Sequence, residues 1–246
     1  MEDAPQIDGQ VYPDAAALTD AFAQATADAL RRALDAEPHA TLCLTGGSTP
    51  EPAYRLLSEA DLPWDRIHLF WTDERMVPPD APESNYRMVH EALLAPAGVP
   101  ESNIHRMRGE LTPHEAADDY ENQLYQVFGE APVAFDVLHL GMGSDGHTAS
   151  LFPGEHALKE VERWATPARA PAGSPVRKRL TLTYPALDSA RLVLVAAAGE
   201  GKREAFQDVI EAYEQGSLAP PPVARVRPEG PLVWMVDRAL AQGPDR

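Results

Sequence analysis

The residues of this 246-residue chain best suited to chemistry lie in GMGSDGHTASLFPG, directly after the apolar run FDVLHL. Asp145 and His147 stand two apart in it. An imidazole with an unperturbed pKa near ~6.5 can take a proton from water and return it to a leaving oxygen, and a carboxylate beside it can orient the ring. Asp145 and His147 are therefore the candidate catalytic pair; the plain alternative is a histidine that merely closes a turn. The same stretch fits G-x-G-x-x-G, the dinucleotide fingerprint, with Glu160 or Glu162 about 20 residues on. That fingerprint normally opens the first βαβ unit of its domain. Here strands and helices precede it, and Pro153 obstructs a helix after the third glycine.

Three further stretches could hold an anion. After TLCL comes TGGSTPEP, where Gly46 and Gly47 allow a tight turn, Ser48 and Thr49 supply hydroxyls, and a helix begins near Pro50. Free amides at such a helix start suit a phosphate, although the lysine and spacing of a Walker motif are missing. After IHLFW come Asp73, Glu74 and Arg75, three charges expected to stay out of the core. Arg75 can make a forked contact with phosphate or carboxylate oxygens, while salt bridges that fix the following Pro-containing loop are the structural alternative. In RLVLVAAAGEGKREAF, Lys202 begins a helix, where a cation opposes the dipole and so points to anion binding. The other histidines carry no comparable signal: His39, His90, His105, His114 and His156 fall in loops or on helix faces, and His68 and His139 in strands. No tight Cys/His ligand spacing occurs, so no metal and no cofactor are expected.

The elements that must position these residues follow from short apolar runs alternating with amphipathic ones: TLCLT, PEPAYRLLSEA; IHLFW, SNYRMVHEALL; FDVLHL; RLVLVAAA, KREAFQDVIEAYEQ; PLVWMV. This rhythm predicts an α/β fold, a Rossmann-like doubly wound, mostly parallel sheet with helices on both faces. Apolar residues three and four apart predict an N-terminal helix from about Asp14 to Asp35. Between Val161 and Tyr184, two strand-like runs flank a Pro- and Gly-containing loop, which predicts a small antiparallel addition to the sheet with a loop leaning over a site. LAPPPVARV reads as a stiff connector. No internal repeat occurs, and a single domain spanning 1–246 is expected.

Composition narrows the partners. The 38 acids against 21 bases give a net charge of −17, which repels polyanions and argues against nucleic acid, so an anionic ligand needs locally placed bases. No apolar run approaches the ~20 residues of a membrane span, and MEDAPQIDGQ is unlike a signal peptide. With Cys43 as the single cysteine, the expectation is a cytoplasmic protein, with a monomer favoured.

TGGSTP, FWTDERMVP with SNYRM, LGMGSDGHTASLFPG, RLTLTYPAL and the Gly-x-Gly-Lys turn occur in one order along the chain. Together they resemble the 6-phosphogluconolactonases, which share a fold with the glucosamine-6-phosphate deaminases and isomerases. Two features favour the lactonase branch: TASLFP after Asp-Gly-His, where the deaminases carry Asn, Glu and Pro, and Arg75 at the end of Asp-Glu-Arg. The resemblance implies hydrolysis of a sugar-phosphate lactone, 6-phospho-D-glucono-1,5-lactone, in the oxidative pentose phosphate pathway. It also implies a position near the substrate for Arg179, for which a sheet-edge charge is the alternative. Such a strained ester needs a base for water, a donor for the ring oxygen and oxyanion stabilisation, but no metal.

Overall fold

The computed structural model describes residues 8–129 and 133–242. Six strands form a parallel sheet: β1 (Asp8–Tyr12), β2 (Ala40–Leu44), β3 (Ile67–Trp71), β5 (Val137–Gly141), β8 (Val193–Ala197) and β9 (Leu232–Asp237). Their order across the sheet is β1-β9-β8-β5-β2-β3. Every residue of β2 and β8 is buried, as expected for strands covered on both faces. β4 (Asp73–Arg75), β6 (Ala165–Arg169) and β7 (Lys178–Leu182) form a second sheet in the order β4-β7-β6, antiparallel throughout. The antiparallel pair expected between Val161 and Tyr184 is thus present, but it joins β4 in a separate sheet instead of extending the main one.

Helices cover both faces. α1 (Ala15–Ala36), close to the predicted span, is capped by Asp14, whose carboxylate accepts the Ala17 N–H at 2.9 Å. Phe22 of α1 and Tyr54 of α2 (Glu51–Ser58) lie against His139 of β5, with ring centroids 4.5 and 5.8 Å away. The strand registers place Cys43, Phe70 and Leu138 on the opposite face from His139. There Phe70 packs on Phe128 of α5 (Pro113–Phe128), 5.6 Å between centroids. Between these, α3 (Asn85–Val89) continues through one π-helical turn, His90–Leu94, into α4 (Ala95–Ala97), which ends at left-handed Gly98. α6 (Tyr184–Asp188), α7 (Arg203–Gln215) and α8 (Arg238–Ala241) complete the set. Full burial of each large apolar side chain contributes roughly 1.5–3 kcal/mol, and the core includes Trp71, Trp234, Tyr120 and Phe135 at 2% exposure or less. Among the described residues no helix is long and apolar enough to cross a membrane.

The connections decide where a ligand can sit. From β2 the chain moves to β3 at one edge, whereas from β5 it moves to β8 and β9 towards the other. β2 and β5 are neighbours, so the connections leaving them diverge and open a crevice at their carboxyl ends.

Candidate functional site

A cleft of about 330 Å³ occupies that crevice, and four strand ends deliver its walls. Gly46, Gly47, Ser48 and Thr49 follow β2; Asp73 and Arg75 follow β3; Gly143 and His147 follow β5; Lys202 follows β8. Arg179 of β7 and Ser174, on the β6–β7 loop, close the remaining side. The loop expected to lean over a site therefore reaches it through Ser174. Asp145 does not line the cleft; it stands behind His147.

The turn that presents His147 is built by glycine. The Gly143 N–H donates to the His147 carbonyl at 2.9 Å and the Gly146 N–H to the Gly143 carbonyl at 3.1 Å. Gly146 has φ +76°, and a Cβ on Gly143 would lie 2.2 Å from the imidazole. The turn leads into no helix at its third glycine, so the dinucleotide reading has no structural counterpart. His147 Nδ1 lies 2.5 Å from Asp145 Oδ1, which also accepts the His147 backbone N–H at 3.2 Å. A carboxylate only accepts, so Nδ1 carries the proton. Donation from His147 holds the Asp145 carboxyl below its usual range, against the opposing effect of burial. Phe152 packs on the imidazole with centroids 4.3 Å apart, and Nε2 has no hydrogen-bond partner among the described residues.

The TGGST turn is equally constrained. A Cβ on Gly46 would fall 1.9 Å from Asn85 Oδ1, and Gly47 has φ +109°. Tyr54 clamps the turn's entry: its hydroxyl accepts the Thr45 N–H at 3.0 Å and donates to the Thr45 carbonyl at 2.9 Å. Among the described residues, the amides of Gly47, Ser48 and Thr49 donate to no protein acceptor. They precede α2, whose dipole adds to their affinity for negative charge.

Three cations face the same space. The Arg75 Nη1 donates to the Glu83 carbonyl at 2.6 Å and the Arg179 Nε to the Val176 carbonyl at 3.1 Å. Among the described residues, neither arginine nor Lys202 takes part in an ion pair. Burial draws the pKa values of Arg179 and Lys202 down, partly offset by Asp73 and Asp237 respectively. Arg179 belongs to the central strand of its sheet and is 9% exposed, which removes the sheet-edge alternative. Desolvated, unpaired positive charge is costly, and an anion in the cleft would relieve it.

The expectation that Asp73, Glu74 and Arg75 stay out of the core fails for two of them, since Asp73 is 6% and Glu74 2% exposed. Hydrogen bonding makes this tolerable. Glu74 accepts the N–H groups of Arg75, Asn85 and Tyr86 at 2.7, 2.7 and 2.8 Å and the Ser84 hydroxyl at 3.1 Å. Burial nonetheless raises its pKa. Glu74 thus fixes the following loop through backbone amides instead of salt bridges. Asp73 accepts the Ser150 hydroxyl at 2.6 Å, and the Asn85 side-chain amide donates to the Asp73 carbonyl at 2.9 Å. Asp73, Ser150 and Ser174 line the cleft and Asn85 supports it, placements that motif reading does not give; the strand-end position of Asp73 and the SNYRM and TASLFP stretches are the local signals.

Among the described residues no three His, Cys, Asp or Glu side chains are grouped so as to hold a metal ion. A parallel sheet with a histidine–carboxylate pair and an anion-receptive cleft at its switch point defines an α/β protein equipped for proton transfer on a small anionic molecule. The chain belongs to the glucosamine-6-phosphate isomerases/6-phosphogluconolactonase family, whose model matches residues 13–234. It is 39% identical over 234 residues to a 6-phosphogluconolactonase of Nostoc, covering 94% of this chain and 95% of that one. To the human 6-phosphogluconolactonase it is 40% identical over 208 residues, covering 82% and 79%. The crystal structure of the 6-phosphogluconolactonase from Thermotoga maritima superposes with a TM-score of 0.84 at 30% identity, covering 95% of this chain and all of that one.

Proposed function

We propose that this protein hydrolyses 6-phospho-D-glucono-1,5-lactone to 6-phospho-D-gluconate, the lactone-opening step of the oxidative pentose phosphate pathway, with His147 moving the protons. The observation that carries the reading is the Nε2 of His147, free among the described residues, in one cleft with three cations that form no ion pair among those residues. Relatives at 39% and 40% identity bear the name of that activity.

Nε2 takes a proton from water as its oxygen attacks the lactone carbonyl carbon. Asp145 holds the Nδ1 proton and balances the imidazolium that results. The tetrahedral oxyanion then collapses, the bond between the carbonyl carbon and the ring oxygen breaks, and Nε2 returns its proton to that oxygen. The free acid loses its proton to solvent and the enzyme is restored. The phosphate lies against Gly46, Gly47, Ser48 and Thr49, with Arg75, Arg179 and Lys202 supplying countercharge. The protein acts as a single α/β domain and a monomer in the cytoplasm; the free, buried Cys43 suits a reducing compartment.

Product analysis with the lactone and with glucosamine 6-phosphate side by side tests the reading. Acid release from the lactone, above its spontaneous opening, and no ammonia from the amino sugar are expected. Lactone opening no faster than the uncatalysed rate would overturn it.

A further inference from the structure

The turn carrying Asp145 and His147 is a thin partition. On one side lies the cleft, and on the other a second cavity of about 880 Å³, which Asp145 lines. A turn with glycines at 143 and 146 has little stiffness of its own. Beyond its internal hydrogen bonds, it is held by a distant part of the chain. The Gly146 carbonyl accepts the Val223 N–H at 3.0 Å, and Pro221 lies so near that a Cβ on Gly146 would meet the Pro221 Cβ at 2.6 Å.

The supporting segment is itself fixed. Pro220, Pro221 and Pro222 are consecutive, and Pro221 has φ −51° and ψ 145°, the extended geometry a proline run favours. The Tyr184 hydroxyl donates to the Pro222 carbonyl at 3.0 Å, and the Arg225 guanidinium lies over the Tyr184 ring at 4.6 Å. Tyr184 is 8% exposed and follows two residues after β7, the strand that bears Arg179. A continuous path of contacts therefore runs from the sheet carrying the arginines, through Tyr184, Pro222 and Val223, to the turn carrying His147.

We propose that Tyr184 and the Pro221–Val223 segment are positioning residues, a brace that sets the His147 turn against the Arg75–Arg179 sheet. A misplacement of about 1 Å can cost as much as 10²-fold in rate, so the brace acts on turnover and leaves binding of the phosphorylated substrate largely alone. The proposal rests on His147 acting as the base.

The test uses Tyr184→Phe and Pro221→Gly in the full chain, with two readouts: the NMR signal of the His147 Nδ1 proton, and kcat and KM for the phosphorylated lactone. Loss of one buried hydrogen bond should lower kcat about 3- to 10-fold with KM changed less than about twofold, and the Nδ1 proton should exchange faster. The two changes belong to one path, so the double variant should lose no more turnover than the worse single one. Wild-type kcat with a wild-type signal would overturn the brace, as would lowered kcat with the signal intact. A changed signal with unchanged kcat would sustain the brace and instead overturn His147 as the base. Tyr184→Phe keeps the ring beneath Arg225 and carries the test by itself if Pro221→Gly does not fold.

Discussion

Arg75 and Arg179 are direct cross-strand partners on β4 and β7, two like charges in register at the wall of one cleft. Such pairs destabilise a sheet, and no carboxylate among the described residues forms an ion pair with either. The arrangement makes sense once an anion sits between them. Each charge-assisted hydrogen bond contributes about 1.5–3 kcal/mol, so Arg75→Ala, Arg179→Ala or Lys202→Ala should lower kcat/KM for the phosphorylated lactone about 10- to 10²-fold. Hydrolysis of unphosphorylated gluconolactone should fall much less. Equal losses on both lactones for a given variant would show that its residue does not bind the phosphate.

His147→Ala should lower kcat about 10²- to 10⁴-fold while product affinity stays near wild type, since the proposed mechanism gives the ring the protons and not the phosphate. Rates must be corrected for spontaneous ring opening. The same variant removes the main cause of the depressed Asp145 pKa, so that carboxyl should titrate at higher pH than in the wild type. Carboxyl NMR titrations of the two proteins give the comparison, and unchanged Asp145 titration would count against the pairing.

Acid stability should depend on buried histidines outside the proposed catalytic pair. Burial lowers the pKa of His139 from 6.5 to about 3 and that of His105 from 6.5 to about 4. For such groups the unfolded chain binds the proton more readily. Their stabilisation is therefore fully present above about 6.5 and is lost as pH falls towards the folded values. Each group steepens the decline by up to about 1.4 kcal/mol per pH unit. Urea unfolding at several pH values between 7 and 4 should show a shallower slope for His139→Gln than for wild type, whatever the absolute stability of the variant; parallel slopes would refute this.

Glucosamine 6-phosphate should release no ammonia. Ser150 is fully buried and bonded to Asp73, and Phe152 covers the His147 ring, so both positions after the shared Asp-Gly-His are committed to lactonase-type residues. Stoichiometric ammonia in an enzyme-coupled assay would place this chain on the other branch of its family.

What the sequence reveals of the fold is what the hydrophobic period carries. β2, β3, β5, β8 and β9 each stand out as apolar runs, and α1 as a repeat of threes and fours. β1 (DGQVY) has no apolar run, β4 is three charged residues long, and neither is legible locally. α5 offers a real signal, the Thr112–Glu115 capping box, which periodicity alone passes over. In the site, Gly46, Gly47, Ser48, Thr49, Arg75, His147 and Lys202 are visible because each follows an apolar run at the same end of the sheet. Asn85 against Gly46, Ser150 on Asp73 and Pro221 on Gly146 are not, since each contact joins segments tens of residues apart and no local pattern says which distant segment a residue will meet.

The inward-facing cations have a consequence for encounter rates. A chain of net charge −17 repels a dianion at long range, whereas the cleft presents Arg75, Arg179 and Lys202 to it at short range. The long-range repulsion acts through solvent and fades once the Debye length shrinks to about 10 Å at ~0.1 M salt. The short-range attraction lies within a part-buried cleft and is screened less. Added salt should therefore speed capture of the phosphorylated lactone from very low ionic strength upward. That is the reverse of an enzyme whose surface field steers its substrate in.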